Sequence, residues 1–485
     1  MTPLSSGGFP ANARDALADE KLQAALVNVR TIFRGNRTRA VAATPEFEAL
    51  RDAGAAVKRH VVENLDAYLE RFIAAAEARG GVVHLCADAA SARETIAAIC
   101  RGEGAKLVTK GKSMVTEEIG LNPYLESQGF TPVETDLGEY IVQLRGEPPS
   151  HIIAPACHVK KEQVAETFRA AHPHRPAERD LSTHEALLAE ARAELRARFL
   201  SADVGITGAN LLIAETGDAV LVTNEGNGDL TQSLPRCHIV VASIEKLVPT
   251  LEDAATVLRV LGRSATGQAA SSYTTLSGGV AQPGERGGPA ACHVVILDNG
   301  RSAMLGGKYE EMLRCIRCGA CINHCPIFAA VGGHAYGAVY VGPMGSVLTP
   351  LLQSLEEARH LPHACTMCGR CAEVCPMKIP LPDLLRRLRE ETHAAALTSA
   401  RSRMGLRLWT FLAQHPSLYR GAGRLAAAAL RLAGRRAGAL RRWPLAGGWT
   451  RFRDLPVPQG GGFVARAYRG DRTGRAAEGD GADGQ

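Results

Sequence analysis

Cys315-Ile316-Arg317-Cys318-Gly319-Ala320-Cys321-Ile322-Asn323-His324-Cys325-Pro326 returns downstream as Cys365-Thr366-Met367-Cys368-Gly369-Arg370-Cys371-Ala372-Glu373-Val374-Cys375-Pro376. Each stretch sets three cysteines three apart, a fourth cysteine four residues on, and a proline directly after it. That is the run by which bacterial two-cluster electron carriers hold 4Fe-4S cubes. The first three thiolates of a run cap three irons of one cube, and the cysteine before the proline serves the other. The spacing therefore predicts one cluster on Cys315, Cys318, Cys321 and Cys375, and a second on Cys365, Cys368, Cys371 and Cys325. Two clusters that exchange a ligand are neighbours by construction.

Thiolates are the soft ligands that iron and inorganic sulfide require, and they must lose their protons to bind. Cys-x-x-Cys is also zinc spacing, but zinc takes four ligands in two pairs, and a run of four cysteines plus proline occurring twice fits it poorly. A disulfide framework would need an export route. Residues 1–19 offer Pro3, Pro10, Asp15 and Asp19 but no apolar core for a secretory signal. A reduced, cytoplasmic chain is expected. The other five cysteines, Cys86, Cys100, Cys157, Cys237 and Cys292, sit among apolar neighbours and read as buried thiols.

Around these runs lies a chain of 485 residues, long enough for two or three domains, with an ordinary apolar fraction of 46%. No stretch approaches the eighteen or so uninterrupted apolar residues of a membrane span. The net charge of +6 hides an asymmetry, since residues 401–485 carry sixteen Arg and no Lys against five Asp or Glu. Such a tail is either a solvated arginine face or a contact for an acidic partner or anionic lipid surface.

Apolar residues recurring at three and four, through Leu22, Leu26, Val29 and Phe33 and then Val57, Val61, Leu65, Leu69 and Phe72, predict helices over 10–80. Beyond Gly80 short apolar strands alternate with helices. Strands are expected at 82–85, 106–108, 140–144, 152–154, 210–214, 219–223, 238–241 and 293–297, and helices at 90–100, 181–199 and 250–261. This alternation implies an α/β domain with a largely parallel sheet. A helix over 300–313 is expected to lead into the first run. The thirty-nine residues 326–364 between the runs exceed what a minimal two-cluster carrier uses, and contain Gly332-Gly333-His334-Ala335-Tyr336-Gly337 and a helix at 347–357. A further helix should run from Pro382 to about residue 400, before the basic tail.

Thr109-Lys110-Gly111-Lys112-Ser113 ends like a phosphate loop, but Lys106 stands where the loop's first glycine belongs, and no Gly-x-Gly-x-x-Gly follows a strand. Neither a nucleoside triphosphate site nor a hydride cofactor is indicated. Lys110, Lys112 and Ser113 with Glu117 and Glu118 form either an anion site or surface pairs. Glu215, in the turn Glu215-Thr216-Gly217-Asp218 between two strands, is either a cleft carboxylate or turn chemistry. His158, His238 and His293 read as hydrogen-bonded structural residues.

The chain resembles the lactate utilization protein B family. The resemblance is carried by Lys110-Gly111-Lys112-Ser113-Met114, by 117–122, 134–141, 149–153, 205–227, 272–275 and 298–302, by both cysteine runs, and by 333–337 and 453–456. Beside the N-terminal helical segment (1–60), the basic extension (401–470) and a tail (471–485) whose Gly and Asp content predicts disorder, it implies an α/β LUD domain (61–300) similar in fold to sugar-phosphate isomerases and coenzyme A transferases, followed by a helical ferredoxin-type domain with two 4Fe-4S clusters (301–400). It also implies two partners in a complex, a second cysteine-rich iron-sulfur subunit and a smaller LUD-domain subunit. No nucleic acid and no transmembrane segment are expected. The location implied is cytoplasmic, with peripheral contact at the inner face of the membrane through the basic tail.

The expected role is electron transfer within a complex that oxidises L-lactate to pyruvate, with the chain not catalytic alone and no catalytic residue assigned. Glu215 lies where coenzyme A transferases often carry a glutamate nucleophile, but it is not assigned that role. Two alternatives stand beside this: the α/β domain itself binds and transforms lactate or a related acid, or the clusters act as a redox sensor.

Overall fold

Residues 237–243 lack the polar alternation of a half-exposed strand because both of their faces are covered. The computed structural model describes residues 5–434, 438–440, 450 and 453–458, apart from Lys112 and Arg286. Its strands are β1 (Gly81–Cys86), β2 (Leu107–Lys110), β3 (Thr131–Glu134), β4 (Val204–Gly208), β5 (Leu211–Ile213), β6 (Ala219–Thr223), β7 (Cys237–Ser243), β8 (Leu247–Val248), β9 (Tyr273–Ser277) and β10 (Ala291–Leu297). Six of them form one parallel sheet in the order β1-β10-β7-β4-β2-β3. Ile239 and Val241 of β7, with Val295 and Leu297 of β10, pack against Ile96, Ala97 and Cys100 of the helix Ala89–Gly102. Val240, Ala242, Val294 and Ile296 face the other way, onto Val61, Leu65, Phe72 and Ala76 of the helices Phe47–Glu63 and Leu65–Ala78. The expected α/β class with a parallel sheet is therefore present.

A second sheet, β8-β5-β6-β9, stands at the carboxyl end of the first. It arises because β5 follows β4 after a short link and β8 follows β7 through one tight turn, Ile244–Lys246. In the main sheet the chain leaves β2 for β3 on one side and returns to β4 on the other. The crevice beyond β2 and β4 is thus a topological switch point, where open α/β sheets bind ligands.

Several expectations need correction. Residues 140–144 are not a strand: Asp136 caps a helix, Leu137–Leu144, whose apolar positions 137, 140, 141 and 144 follow the helical period. Residues 152–154 form bends and turns instead of a strand. The approach to the first cysteine run is made of two short 3-10 turns, Ser302–Met304 and Glu310–Arg314, with no longer helix. The helix expected at 347–357 begins earlier, at Gly342, with Pro343 in its first turn. The one after Pro380 ends at Ala394.

Residues 1–397 form one compact unit and 398–485 another. The second contains the helices Ala400–Gln414 and Pro416–Gly434 and a short antiparallel pairing of Ala439–Leu440 with Leu455–Pro456. Residues 471–485, expected to be disordered, lie outside the described residues. Among the described residues no helix is long and apolar enough to cross a membrane.

The histidines read as structural have partners. His158 Nε2 is 2.8 Å from Glu147, His293 is 3.1 Å from His84, and His238, 1% exposed on β7, is 2.8 Å from Thr207 Oγ1. Burial lowers the His238 pKa from 6.5 to about 4. The unfolded chain therefore binds a proton that the folded chain refuses, so this contribution to stability is whole above pH ~6.5 and is lost as pH falls toward 4. The urea midpoint should drop across that window, and less steeply in His238→Asn. An identical slope in the variant would assign the effect to another group.

Candidate cluster site and adjoining cleft

Both cysteine runs fold alike. Arg317 and Met367, each two residues after a run's first cysteine, have φ of 58° and 56°, and Gly319 and Gly369 follow in the same left-handed region at 73° and 80°. These reversals point successive N–H groups inward. Cys318 accepts from the Ala320 N–H, Cys325 from Phe328 and Ile327, Cys371 from Ala372, and Cys375 from Ile379 and Met377. N–H donors onto sulfur stabilise a thiolate, which is the form iron binds.

Cys315, Cys318, Cys321 and Cys375 line one small cavity of about 20 Å3, whose remaining wall includes Met312, Ile316, Met344 and Met377. Cys325 and Cys365 neighbour Cys371, whose thiol is pushed up to about 12 by burial first and then by those two sulfurs. Cys368 lies in the same group and is the exposed one. All thirteen cysteines are free, and of the five outside the runs four are buried and Cys157 is partly so. Among the described residues no three His, Cys, Asp or Glu side chains converge on a single ion. Four sulfurs spaced around a void suit a multi-iron core better than one zinc ion. The residues present thus fit the clusters.

Nothing in the local patterns of residues 10–80 marks these helices as the holders of the cysteine loops. Arg34 donates to the Asn323 carbonyl at 2.8 Å, Arg37 to that of Val374 at 3.1 Å, and Arg51 to that of Cys375 at 2.7 Å. The insert between the runs is gripped as well. Phe9 packs on Tyr336 with ring centroids 5.3 Å apart, and Gln23 donates to the Ala330 carbonyl at 2.8 Å. On the α/β side, His151 pairs with Asn323 at 2.9 Å and His334 with the Pro148 carbonyl at 2.8 Å. A Cβ on Gly333 would stand 1.8 Å from the Ser150 carbonyl oxygen, so only glycine allows this approach.

Tyr336 is fully buried near Cys325, and its hydroxyl has no hydrogen-bond partner among the described residues, which leaves it free to turn toward that sulfur. A donor on a ligand sulfur favours the electron-rich reduced state. Tyr336→Phe should lower the potential of the Cys325 cluster, where a hydrogen bond of about 1 kcal/mol equals roughly 40 mV for one electron. An unmoved midpoint in an EPR-monitored titration would remove this role. The cations beside the cysteines carry less weight than their positions suggest. Arg317 is paired with Glu245 at 2.8 Å, Lys378 with Glu48 at 2.8 Å and with Asp52, and the half-exposed Arg370 with Glu373. Arg370→Glu should therefore lower the potential of its cluster by less than Tyr336→Phe lowers that of the Cys325 cluster.

Beside the first cavity, and sharing Arg317 with it, a cleft of about 540 Å3 opens at the carboxyl ends of β2, β3, β4 and β7. Met114, Leu137, Ile141, Ile152 and Leu261 form much of its apolar wall. Ser113, Asp136, Asn210, Asn227, Lys246 and Tyr340 supply polar groups. Lys246 is 6% exposed, and burial, then the nearby Arg317 guanidinium, lower its pKa to about 8. Among the described residues its ammonium has no hydrogen-bond or ion-pair partner, and the Asn227 Oδ1 is buried without one.

The anion site considered at 110–118 takes a different form. Lys110 is buried and committed to Glu134 at 2.7 Å and Glu117 at 2.9 Å, so these are interior pairs and not surface ones. The Ser113 Oγ accepts from the Thr116 N–H and caps the short helix Met114–Glu118. Lys112 lies outside the described residues. Glu215 accepts the Leu251 N–H at 2.6 Å, starting the helix Leu251–Ala265, and does not line the cleft.

Glu118 belongs to a second buried network. Arg301, 1% exposed at its side chain, makes two hydrogen bonds to Glu118 at 2.9 and 2.6 Å, and its Nε stands 2.9 Å from Glu245 outside hydrogen-bond alignment. Tyr340 adds a 2.6 Å bond to Glu118, and the Arg317 guanidinium lies 4.5 Å over the Tyr340 ring. Arg301 and Arg317 hold the Glu245 carboxyl well below the usual carboxylate range despite burial.

A LUD domain model matches residues 69–297 and a 4Fe-4S dicluster domain model residues 311–379. Lactate utilization protein B of Lysinibacillus sphaericus is 40% identical over 469 residues, covering 95% of this chain and 96% of that protein. The protein of the same name from Bacillus licheniformis is 40% identical over 456 residues, covering 93% and 94%. A crystal structure of a duf162 family protein from Deinococcus radiodurans matches 48% of this chain and 98% of that one at 15% identity, with a TM-score of 0.28, too low to bear on the fold.

Proposed function

The chain belongs to the lactate utilization protein B family, and from that premise we propose that it is the electron-transfer subunit of a complex oxidising L-lactate to pyruvate. The observation carrying the reading is that Cys315, Cys318 and Cys321 of one run line a single cavity with Cys375 of the other. Cys315, Cys318, Cys321 and Cys375 would hold one cluster and Cys365, Cys368, Cys371 and Cys325 the other. When bound, each 4Fe-4S cluster takes up and gives back one electron without a proton. The chain's own residues fix the sulfurs, donate N–H groups to them and close apolar walls against water. The similarity of the α/β domain to coenzyme A transferases, the boundaries 61–300 and 301–400, and the two partner subunits belong to the same reading.

The test is anaerobic co-purification with the proposed cysteine-rich and smaller LUD-domain subunits. L-Lactate should bleach the cluster absorbance of the complex and pyruvate should accumulate. Absorbance unchanged by lactate while dithionite still bleaches it would sink the proposal. The contact with the inner face of the membrane rests on the helix Ala400–Gln414, where Met404, Leu408 and Phe411 share one face, are all more than half exposed, and stand among Arg401, Arg403 and Arg407. Vesicles containing phosphatidylserine should retain the full chain and release it on Phe411→Glu; equal retention by neutral vesicles would refute the contact.

A further inference from the structure

The cleft beside the first cysteine cavity is built as a ligand site, and the electron-transfer reading makes no use of it. It lies at the switch point of the parallel sheet, and its volume of about 540 Å3 falls among cavities that enclose cofactor-sized organic ligands. Much of the wall is apolar, yet Lys246, 6% exposed, stands in it without an acceptor. The neighbouring buried cations are all satisfied: Lys58 by the Glu245 and Leu247 carbonyls, Lys110 by Glu117 and Glu134, Arg301 by Glu118, and Arg317 by Glu245. An ammonium on a side chain so largely covered, facing only the cleft, leaves its charge for a ligand to meet, and an anionic group would supply the missing acceptor.

We propose that this cleft binds an organic carboxylate whose charge meets Lys246 and whose body lies on the apolar wall, against the partition that Arg317 forms with the Cys315 cavity. Among the described residues Lys246 is the one cation of the cleft without a partner, which suits one negative charge. The second unpartnered polar atom, Asn227 Oδ1, is an acceptor, which would repel a phosphate but can receive a hydroxyl of the ligand. Lys246 is also within electrostatic reach of Cys315. A carboxylate held there disfavours adding an electron on the other side of the partition. Binding therefore lowers the potential of the Cys315 cluster, and reduction weakens binding by the same factor.

The probes are benzoylformate, a 2-oxo acid with an apolar body, and pyruvate, titrated calorimetrically into anaerobic holo-protein under non-reducing conditions. Benzoylformate should bind saturably, and more tightly than pyruvate. Lys246→Met should weaken it about ten- to hundredfold, as for loss of a charged hydrogen bond, while Lys246→Arg restores part of the affinity. Thr223→Trp, which fills the cleft from β6, should abolish binding with Lys246 intact. Iron content and circular dichroism of each variant show that it is folded. Saturating benzoylformate should also shift one cluster midpoint downward, in wild type but not in Lys246→Met. Saturable binding unaffected by Lys246→Met, or no saturable binding of either acid to wild type, overturns the proposal. No turnover is measured, so an empty cleft and a failed lactate-driven bleaching give different results.

Discussion

Cys375→Ala should cost the protein the cluster of the other run. Iron per chain should fall from about eight toward about four, with the Cys365 cluster still reducible. The decisive comparison is between double variants. If Cys375 shares a cube with Cys318, the pair Cys318→Ala and Cys375→Ala should lose little more iron than either alone, because both strike the same ligand set. Cys318→Ala with Cys325→Ala should empty both. Ligands serving one centre are non-additive and ligands of separate centres are additive, so the pattern reports connectivity independently of how stable each variant is. Iron and acid-labile sulfide assays with EPR of the reduced protein read it directly. The opposite pattern would mean that each run closes its own cube.

Arg301→Met should destabilise the fold by about 3–5 kcal/mol, since removing one side of a buried ion pair leaves uncompensated carboxylates. Glu118 and Glu245 are 7% and 2% exposed at their side chains, so water cannot replace the guanidinium. The sign with pH follows from Glu245, whose folded pKa is depressed. Its contribution is complete above the unfolded value of about 4.3 and is lost as pH falls through the lower folded value. The loss caused by Arg301→Met should therefore be large at neutral pH and shrink in acid. Adding Glu118→Gln should recover part of it by removing one stranded charge. A urea midpoint moved by less than about 1 kcal/mol would place the pairing among those that contribute little.

Local patterns carried much of this architecture. β7 and β10 show through the apolar runs Ile239-Val240-Val241-Ala242 and Val294-Val295-Ile296-Leu297 because strands covered on both faces need no polar alternation, and the cysteine runs show because their spacing is dictated by the size of a cube. Residues 140–144 misled because Tyr140-Ile141-Val142 has strand composition in five residues, while the helical period becomes visible only from the Asp136 cap onward. β3 escaped because Pro132 interrupts it, which an edge strand tolerates. The cleft could not be read at all. Lys246 matters because its neighbours pair among themselves and leave it out, and Arg301, Glu118 and Glu245 are brought together from three separate segments. The same holds for Tyr336 near Cys325, since nothing local marks a hydroxyl that will lie near sulfur.

The reach of Arg34, Arg37 and Arg51 has a consequence for how this polypeptide is made. The carbonyls they hold lie 289, 337 and 324 residues further along, so these three contacts cannot form until the cysteine runs have been synthesised. At a translation rate of about 5–20 residues per second, that is a wait on the order of twenty seconds or more. During it the nascent amino terminus is a natural client for a chaperone, and the cysteine loops stay open to the machinery that delivers iron and sulfide. Docking the amino terminus last would then seal the metal centres in, coupling completion of the chain to protection of its cargo from oxygen.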